Sequence, residues 1–382
     1  MRFINPVYLA RGVLLVASIC LTVFIFEVAL RFVWEPMDYL VPVMIADPDT
    51  GYRIEPGTAG TDDWGYRNQS VPEQVDVVAL GDSMTWGHAA SVSGTWPAAY
   101  ARLTGQKVYN LGIGGYGPAE YLHLFETRGL ALKPKHIIVG LYLGNDLSDS
   151  YKSVKDYGRW QPMRTASMGE FDPEKYRLNP LTRAPDNPIL VLRKWVRQNS
   201  LLFRSFEAGK VGQWINGWGD QREGFSGDGC TALVGERFPT LIQGESRFRH
   251  ADPSQISVQE GAELTREFLR QLAGRSHEEG VEMTVLLIPG KESVVVRPWT
   301  NVAEECEPAI RAHIAAEVTN RDELTQFLQS LDLEVIDPLT RMQEAAGEER
   351  LYRRSADSHP VDRGYELMAE ALVEANLENP RR

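Results

Sequence analysis

The sequence predicts an α/β protein built on a parallel sheet. Three observations carry that expectation: short, almost wholly apolar runs of strand length, glycine-rich turns directly after them, and helical stretches between them. Strands buried on both faces read as continuous apolar runs. Strands alternating with helices imply right-handed crossovers within one sheet.

The first run, Val75 to Leu80, ends in Gly81. A helix is expected over Trp96 to Leu103, closed near Gly105. Lys107 to Leu111 is the second strand and runs into Gly112, Gly114, Gly115 and Gly117. Pro118, pre-set for a first helical turn, opens a helix to about Leu130. His136 to Leu143 is the third strand. Between about Ser150 and Ser254 the rhythm lapses into a Pro-, Arg- and Gly-rich stretch carrying Trp160, Trp195, Trp214 and Trp218. One helix is expected there, around Ile189 to Phe206. At about 100 residues the stretch is too long for an ordinary loop and reads as an insertion at the rim of the sheet. Its tryptophans are expected either to stack on sugar rings or to pack a satellite core. The alternation then resumes: a helix from about Val258 to Glu279, the strand Glu282 to Ile288, a helix near Arg321 to Leu331, the strand Leu333 to Ile336, and a closing helix from Val361 to Ala375.

The chain has 382 residues, 43% hydrophobic and 24% charged, with a net charge of −12. That is a folded, acidic composition, and the acidity argues against nucleic acid as a partner, because phosphate binding needs a basic face. Three cysteines without C-x-x-C spacing give no zinc site, and no metal or other cofactor is expected.

No charged residue interrupts Gly12 to Phe26. As helix this run spans only about 22 Å, short of a hydrocarbon core of roughly 30 Å. Apolar character continues to Trp34, broken by Glu27 and Arg31, which stand at i, i+4 and can pair. The extended run is long enough to cross a membrane. No small-residue cleavage site follows at Phe26-Glu27-Val28, so an uncleaved signal anchor is preferred to a cleaved signal peptide. Arg2 and Arg11 keep the N-terminus cytoplasmic, with the body periplasmic or extracellular. Residues 1–36 carry three Arg and two Glu, a net +1, which leaves −13 on the rest. The expected organisation is an anchor at 1–36, a linker and lead-in segment at 37–74, and one domain at 75–378 with an insertion at about 150–256. In an oxidising compartment Cys230 and Cys306 are either a disulfide or two separate thiols.

In open α/β sheets, sites form at the carboxyl ends of strands. The first strand ends in Gly81-Asp82-Ser83, which puts a serine in a strand-to-helix turn, with a helix N-terminus behind it. The second ends in glycines that let backbone N–H groups approach a ligand. The third ends in Gly144-Asn145-Asp146, where an amide faces the same edge. Before the closing helix stands Asp357-Ser358-His359, an acid that can fix an imidazole tautomer. Singly, each is ordinary turn chemistry; their order and placement are what point to one site. An α/β-hydrolase elbow, Gly-x-Ser-x-Gly, does not fit, because Thr85 holds the last glycine's place. His88 is a candidate pocket-lining residue. The other histidines read as structural, and Lys291 and Glu292 as an ion pair rather than substrate contacts.

The order of these blocks resembles the SGNH (GDSL-type) hydrolase family over about residues 75–150 and 257–378. Gly81-Asp82-Ser83 matches the first block, Gly115 the second, Asn145-Asp146 the third and His359 the last. The resemblance implies a flavodoxin-like three-layer α/β/α fold and a serine esterase acting without a cofactor. It implies Ser83 as nucleophile, His359 as base and Asp357 as its orienter. The implied oxyanion hole is the N–H groups of Ser83 and Gly115 with the Asn145 amide; Gly81, Asp82 and Asp146 support it. Two departures stand out. Leu143 holds the glycine position of the family's Gly-x-Asn-Asp, and Asp357 lies two rather than three residues before His359. The shorter spacing is similar to that of membrane-associated members that handle O-acetyl groups on exopolysaccharides. The resemblance therefore implies an ester substrate, with an acylated glycan favoured, and leaves acyl transfer and non-catalytic glycan binding or assembly as alternatives. No motif identifies a protein partner.

Overall fold

A computed structural model describes residues 6–174, 182, 187–208, 232–234, 237–238, 240–242, 248–295 and 307–378. The chain opens with α1 (Pro6–Val33), of which Ala10–Val33 is long and apolar enough to cross a membrane, with a mean hydropathy of 2.7. A single turn, α2 (Pro36–Tyr39), leads to an antiparallel hairpin of β1 (Met44–Asp47) and β2 (Gly51–Ile54). Then come β3 (Val77–Gly81), α3 (Ser83–Trp86), α4 (Trp96–Thr104), β4 (Val108–Asn110), α5 (Pro118–Leu124), β5 (His136–Tyr142) and α6 (Asp146–Asp156). The insertion contributes α7 (Pro188–Asn199), α8 (Leu201–Ala208) and a hairpin of β6 (Ala232–Val234) and β7 (Thr240–Ile242). The chain closes with α9 (Ile256–Glu278), β8 (Glu282–Ile288), α10 (Lys291–Val295), α11 (Glu307–Ser330), β9 (Glu334–Ile336), α12 (Leu339–Ala346) and α13 (Asp362–Glu378).

The five-stranded sheet is wholly parallel, in the order β4-β3-β5-β8-β9. Alternate side chains feed two cores, as a pleated strand requires. Val77, Ala79, Ile138, Leu286 and Ile288 pack with Trp96 and Tyr100 of α4 and with Tyr365 and Met368 of α13. Val78, Leu80, Ile137, Val139, Leu141 and Val285 pack with Tyr121 of α5, Val154 of α6 and Phe268 of α9. A slip of one residue would exchange the two faces, so burial on both sides fixes the register. The result is the expected three-layer α/β/α sandwich. Counting only these strands, the order is 2-1-3-4-5, whose switch point lies between β3 and β5.

In the linker and lead-in segment at 37–74, Tyr52 from β2 is buried in the core, and the buried Arg67 donates to the carbonyls of Gly87 at 2.6 Å and Ala90 at 2.9 Å. Several expectations need correction. The helix expected over 118–130 ends as α5 at Leu124 and widens into a π-turn over Phe125–Gly129. The helix expected over 189–206 is two helices, parted at Ser200, whose extended backbone turns the chain and whose hydroxyl accepts from Phe203 N–H at 3.1 Å. The helix expected from Arg321 begins at Glu307, because buried Glu317, Asn320 and Arg321 blur its apolar stripe. Trp160 is buried edge-on against Phe268 in the core and is not a sugar platform. Trp214, Trp218, Cys230 and Cys306 lie outside the described residues.

Candidate active site

Ser83 follows β3 directly, and its neighbours explain why the chain turns so tightly there. A Cβ on Gly81 would stand 2.0 Å from Thr85 Oγ1, so only glycine lets the first turn of α3 fold back onto the strand end. Asp82, fully buried, caps that turn by accepting from Met84 N–H at 2.8 Å, and its other oxygen accepts from Ser83 Oγ at 3.3 Å. Burial pushes the Asp82 carboxyl up, with Met84 N–H and His359 working in the other direction. The helix behind the serine is a single turn closed at Gly87, so its dipole is small.

His359 comes from the loop before α13, 276 residues further on, and its Nε2 lies 2.7 Å from Ser83 Oγ. Its Nδ1 lies 2.6 Å from Asp357 Oδ1, which also accepts the His359 backbone N–H at 3.1 Å. Burial acts to raise the Asp357 carboxyl, but the hydrogen bonds and charge of His359 outweigh it and hold the group well below the usual carboxylate range. Ser83, His359 and Asp357 are therefore brought together in one hydrogen-bonded line. A hydroxyl held by an imidazole, itself oriented by a carboxylate, is the arrangement that makes serine a nucleophile. His88 stands at the rim with its ring centroid 4.8 Å from that of His359. Desolvation and the neighbouring His359 push it down to about 4, so it stays neutral at ordinary pH.

The loop after β4 lies against Ser83. A Cβ on Gly114 would stand 3.4 Å from Ser83 Cβ. Gly115 adopts φ +79°, and a Cβ there would stand 2.5 Å from the Tyr52 hydroxyl, which donates to the Gly114 carbonyl. At the end of β5, Asp146 accepts from Tyr142 N–H and from the Tyr121 hydroxyl, each at 2.9 Å, and so shapes the Gly144-Asn145 turn. Asn145 Nδ2 donates to Asp149 Oδ2 at 2.8 Å, and the Asn145 side chain also reaches Asp82. The buried Asp82, Asp146 and Glu120 and the half-buried Asp149 thus form an acidic layer behind the serine. Burial pushes Asp149 up to about 8 and Glu120 up to about 7.

Two residues beyond the expected set shape the site. Tyr52 fixes the glycine loop; its only sequence signal was the turn-rich Asp47 to Gly51 between two strand-like stretches. Lys291 is fully buried, and its Nζ donates to the carbonyls of Leu241 at 2.6 Å, Asp357 at 2.9 Å and Ser355 at 3.0 Å. It joins the insertion's β7 to the loop carrying Asp357 and His359.

No protein-family profile matches the chain, and no characterised protein sequence matches it. Solved structures do. An extracellular lipase from Streptomyces rimosus is 12% identical, with a TM-score of 0.42 over 78% of this chain and 99% of that one. An acetylxylan esterase from Geobacillus stearothermophilus, solved as a catalytic mutant, is 11% identical, with a TM-score of 0.37 over 80% of this chain and 94% of that one. A GDSL-like lipase from Bacteroides thetaiotaomicron is 10% identical, with a TM-score of 0.36 over 81% and 92%. The chain is similar to these proteins in fold, and the chemistry assigned to it below rests on the geometry of its own residues.

Proposed function

We propose that this chain is a membrane-anchored serine esterase of SGNH type that cleaves acetyl esters on envelope or extracellular carbohydrate through an acyl-Ser83 intermediate. The observation that carries the reading is the continuous line Ser83 Oγ, His359 Nε2, His359 Nδ1, Asp357 Oδ1, with separations of 2.7 and 2.6 Å.

In this reading His359 takes the Ser83 proton as Oγ attacks the ester carbonyl, while Asp357 holds the Nδ1–H tautomer and stabilises the imidazolium. The tetrahedral oxyanion meets the N–H groups of Ser83 and Gly115 and the Asn145 amide, which the β3, β4 and β5 loops present from one edge of the sheet. His359 Nε2–H then protonates the departing alkoxide, which leaves as an alcohol. Water attacks the acyl-enzyme with His359 again as base; the acid product leaves and Ser83 regains its proton. The carbohydrate substrate is supported by the Asp-x-His spacing, and the anchor by α1, with its N-terminus cytoplasmic and the body outside.

The test uses the full chain. It should release p-nitrophenol from p-nitrophenyl acetate, and a fluorophosphonate probe should label Ser83. Ser83→Ala should abolish both. Activity that survives in Ser83→Ala would remove the nucleophile from this reading, and absence of labelling in folded protein would favour a non-catalytic glycan-binding role. An acetylated oligosaccharide that loses acetyl to water supports hydrolysis; transfer to an added oligosaccharide acceptor would replace it with acyl transfer.

A further inference from the structure

We infer that α7 lies in the surface of the bilayer that α1 crosses, as a second, non-spanning contact between the body and the membrane. The inference rests on α1 being a membrane span.

Helical geometry gives α7 two faces. At 100° per residue Ile189, Leu192, Trp195 and Val196 share one arc, and Arg193, Lys194 and Arg197 the opposite one. The basic arc faces α8: Arg193 and Arg197 pair with the buried Glu207 at 3.4 and 2.9 Å. The apolar arc is therefore turned out, and Ile189, Leu192 and Trp195 are 75%, 60% and 57% exposed. Val191 flanks this arc and is 44% exposed. An exposed apolar helix face of this kind marks an interaction surface.

Its position selects the occupant. The α7–α8 elbow is fixed to the outer turns of α1. Glu27 accepts from Leu201 N–H at 2.9 Å, Leu202 N–H at 3.1 Å and Ser200 Oγ at 2.8 Å, and Arg31 donates to the Asn199 carbonyl at 2.7 Å. Leu30 and Tyr39 pack beside Leu201 in a small core with Leu40 and Ala59. Glu27 is the first residue after the uncharged run Gly12–Phe26, which covers only about 22 Å of helix against a hydrocarbon core of roughly 30 Å. The span must therefore run past Glu27 to about Val33, and the elbow meets the last two turns of α1, at the outer end of the span. An amphipathic helix carrying a tryptophan on its apolar face and cations on the other has the composition of one lying in the interface. The occupant is the lipid surface.

The experiment reconstitutes the full chain in vesicles of phosphatidylcholine and phosphatidylglycerol, with or without phosphatidylcholine brominated near the ester end of its chains. Emission from Trp195 is the difference between wild type and Trp195→Phe, an exposed and conservative change. The expected result is loss of that difference in brominated vesicles and its insensitivity to aqueous iodide. A Leu15→Trp variant reports on α1 separately. If Leu15→Trp emission is lost in brominated vesicles while the Trp195 difference remains and iodide quenches it, the interfacial helix is overturned and the anchor stands. A Trp195 shielded from both quenchers would mean that protein covers it, which also overturns the inference. If Leu15→Trp emission itself survives in brominated vesicles, the anchor reading fails and the interfacial helix falls with it.

Discussion

Lys291 Nζ donates to the backbone carbonyl of Asp357 at 2.9 Å, so a fully buried cation holds the loop that carries the acid of the proposed relay. Lys291→Met leaves the carbonyls of Leu241, Ser355 and Asp357 without this donor. Misplacement of a catalytic group by about 1 Å costs on the order of 10²-fold in rate. The expected result is a fall in kcat of about that size, with KM little changed, partly restored in Lys291→Arg. Steady-state kinetics with p-nitrophenyl acetate, beside a melting curve for each variant, check it; a drop confined to stability would make Lys291 structural only.

Asp357→Asn keeps the size of the side chain but presents the wrong partner to His359 Nδ1. Loss of this tautomer control in a serine relay lowers kcat by about 10⁴-fold. Because the carboxylate touches the imidazole and not the ester, KM should hold.

The Asn145 amide supplies a pH prediction. Asn145 Oδ1 is buried without a hydrogen-bond partner, while Nδ2 is drawn to Asp149. Burial, with Asp82 and Glu120 nearby, pushes Asp149 up to about 8. Below that pH the protonated carboxyl can donate to Oδ1 once the amide turns over, which leaves Nδ2 for the oxyanion of the proposed mechanism. Above it the carboxylate claims Nδ2. The kcat profile should fall as pH rises through about 8, and Asp149→Asn, a permanent donor, should flatten that limb. Persistence of the limb in Asp149→Asn would assign it to another group.

Glu120 governs stability rather than rate. Its Oε2 accepts from Gly117 N–H at 2.9 Å, and burial pushes the carboxyl up from 4.5 to about 7. Between those values the native state binds the proton that the unfolded chain has already lost, so stability decreases as pH rises through the window. The shift corresponds to about 3 kcal/mol. Glu120→Gln retains an acceptor for Gly117 and does not titrate, so its Tm should vary less than that of wild type between pH 4.5 and 7.

Some of this was legible in the sequence and some was not, for physical reasons. β5 and β8 could be read because burial on both faces makes each an unbroken apolar run. Ser83, Gly115, Asn145 and His359 could be placed because each follows a strand or precedes a helix. Tyr52, Asp149 and Lys291 act through partners remote in sequence or through burial, which spacing along the chain does not encode. The break at Ser200 is of the same kind, since its hydroxyl and the two amides after it meet Glu27, about 170 residues earlier.

The distance along the chain between Ser83 and His359 has a temporal consequence. A polypeptide threaded through a membrane from its N-terminal side delivers the hydroxyl early and the imidazole 276 residues later. Until the Lys291 clamp has formed and α13 has docked on α4, the serine is an inert alcohol beside a half-built sheet. On the proposed anchored reading the protein is its own timer: it crosses the membrane unarmed and becomes reactive only once the segment bearing His359 has arrived in the compartment where the body folds.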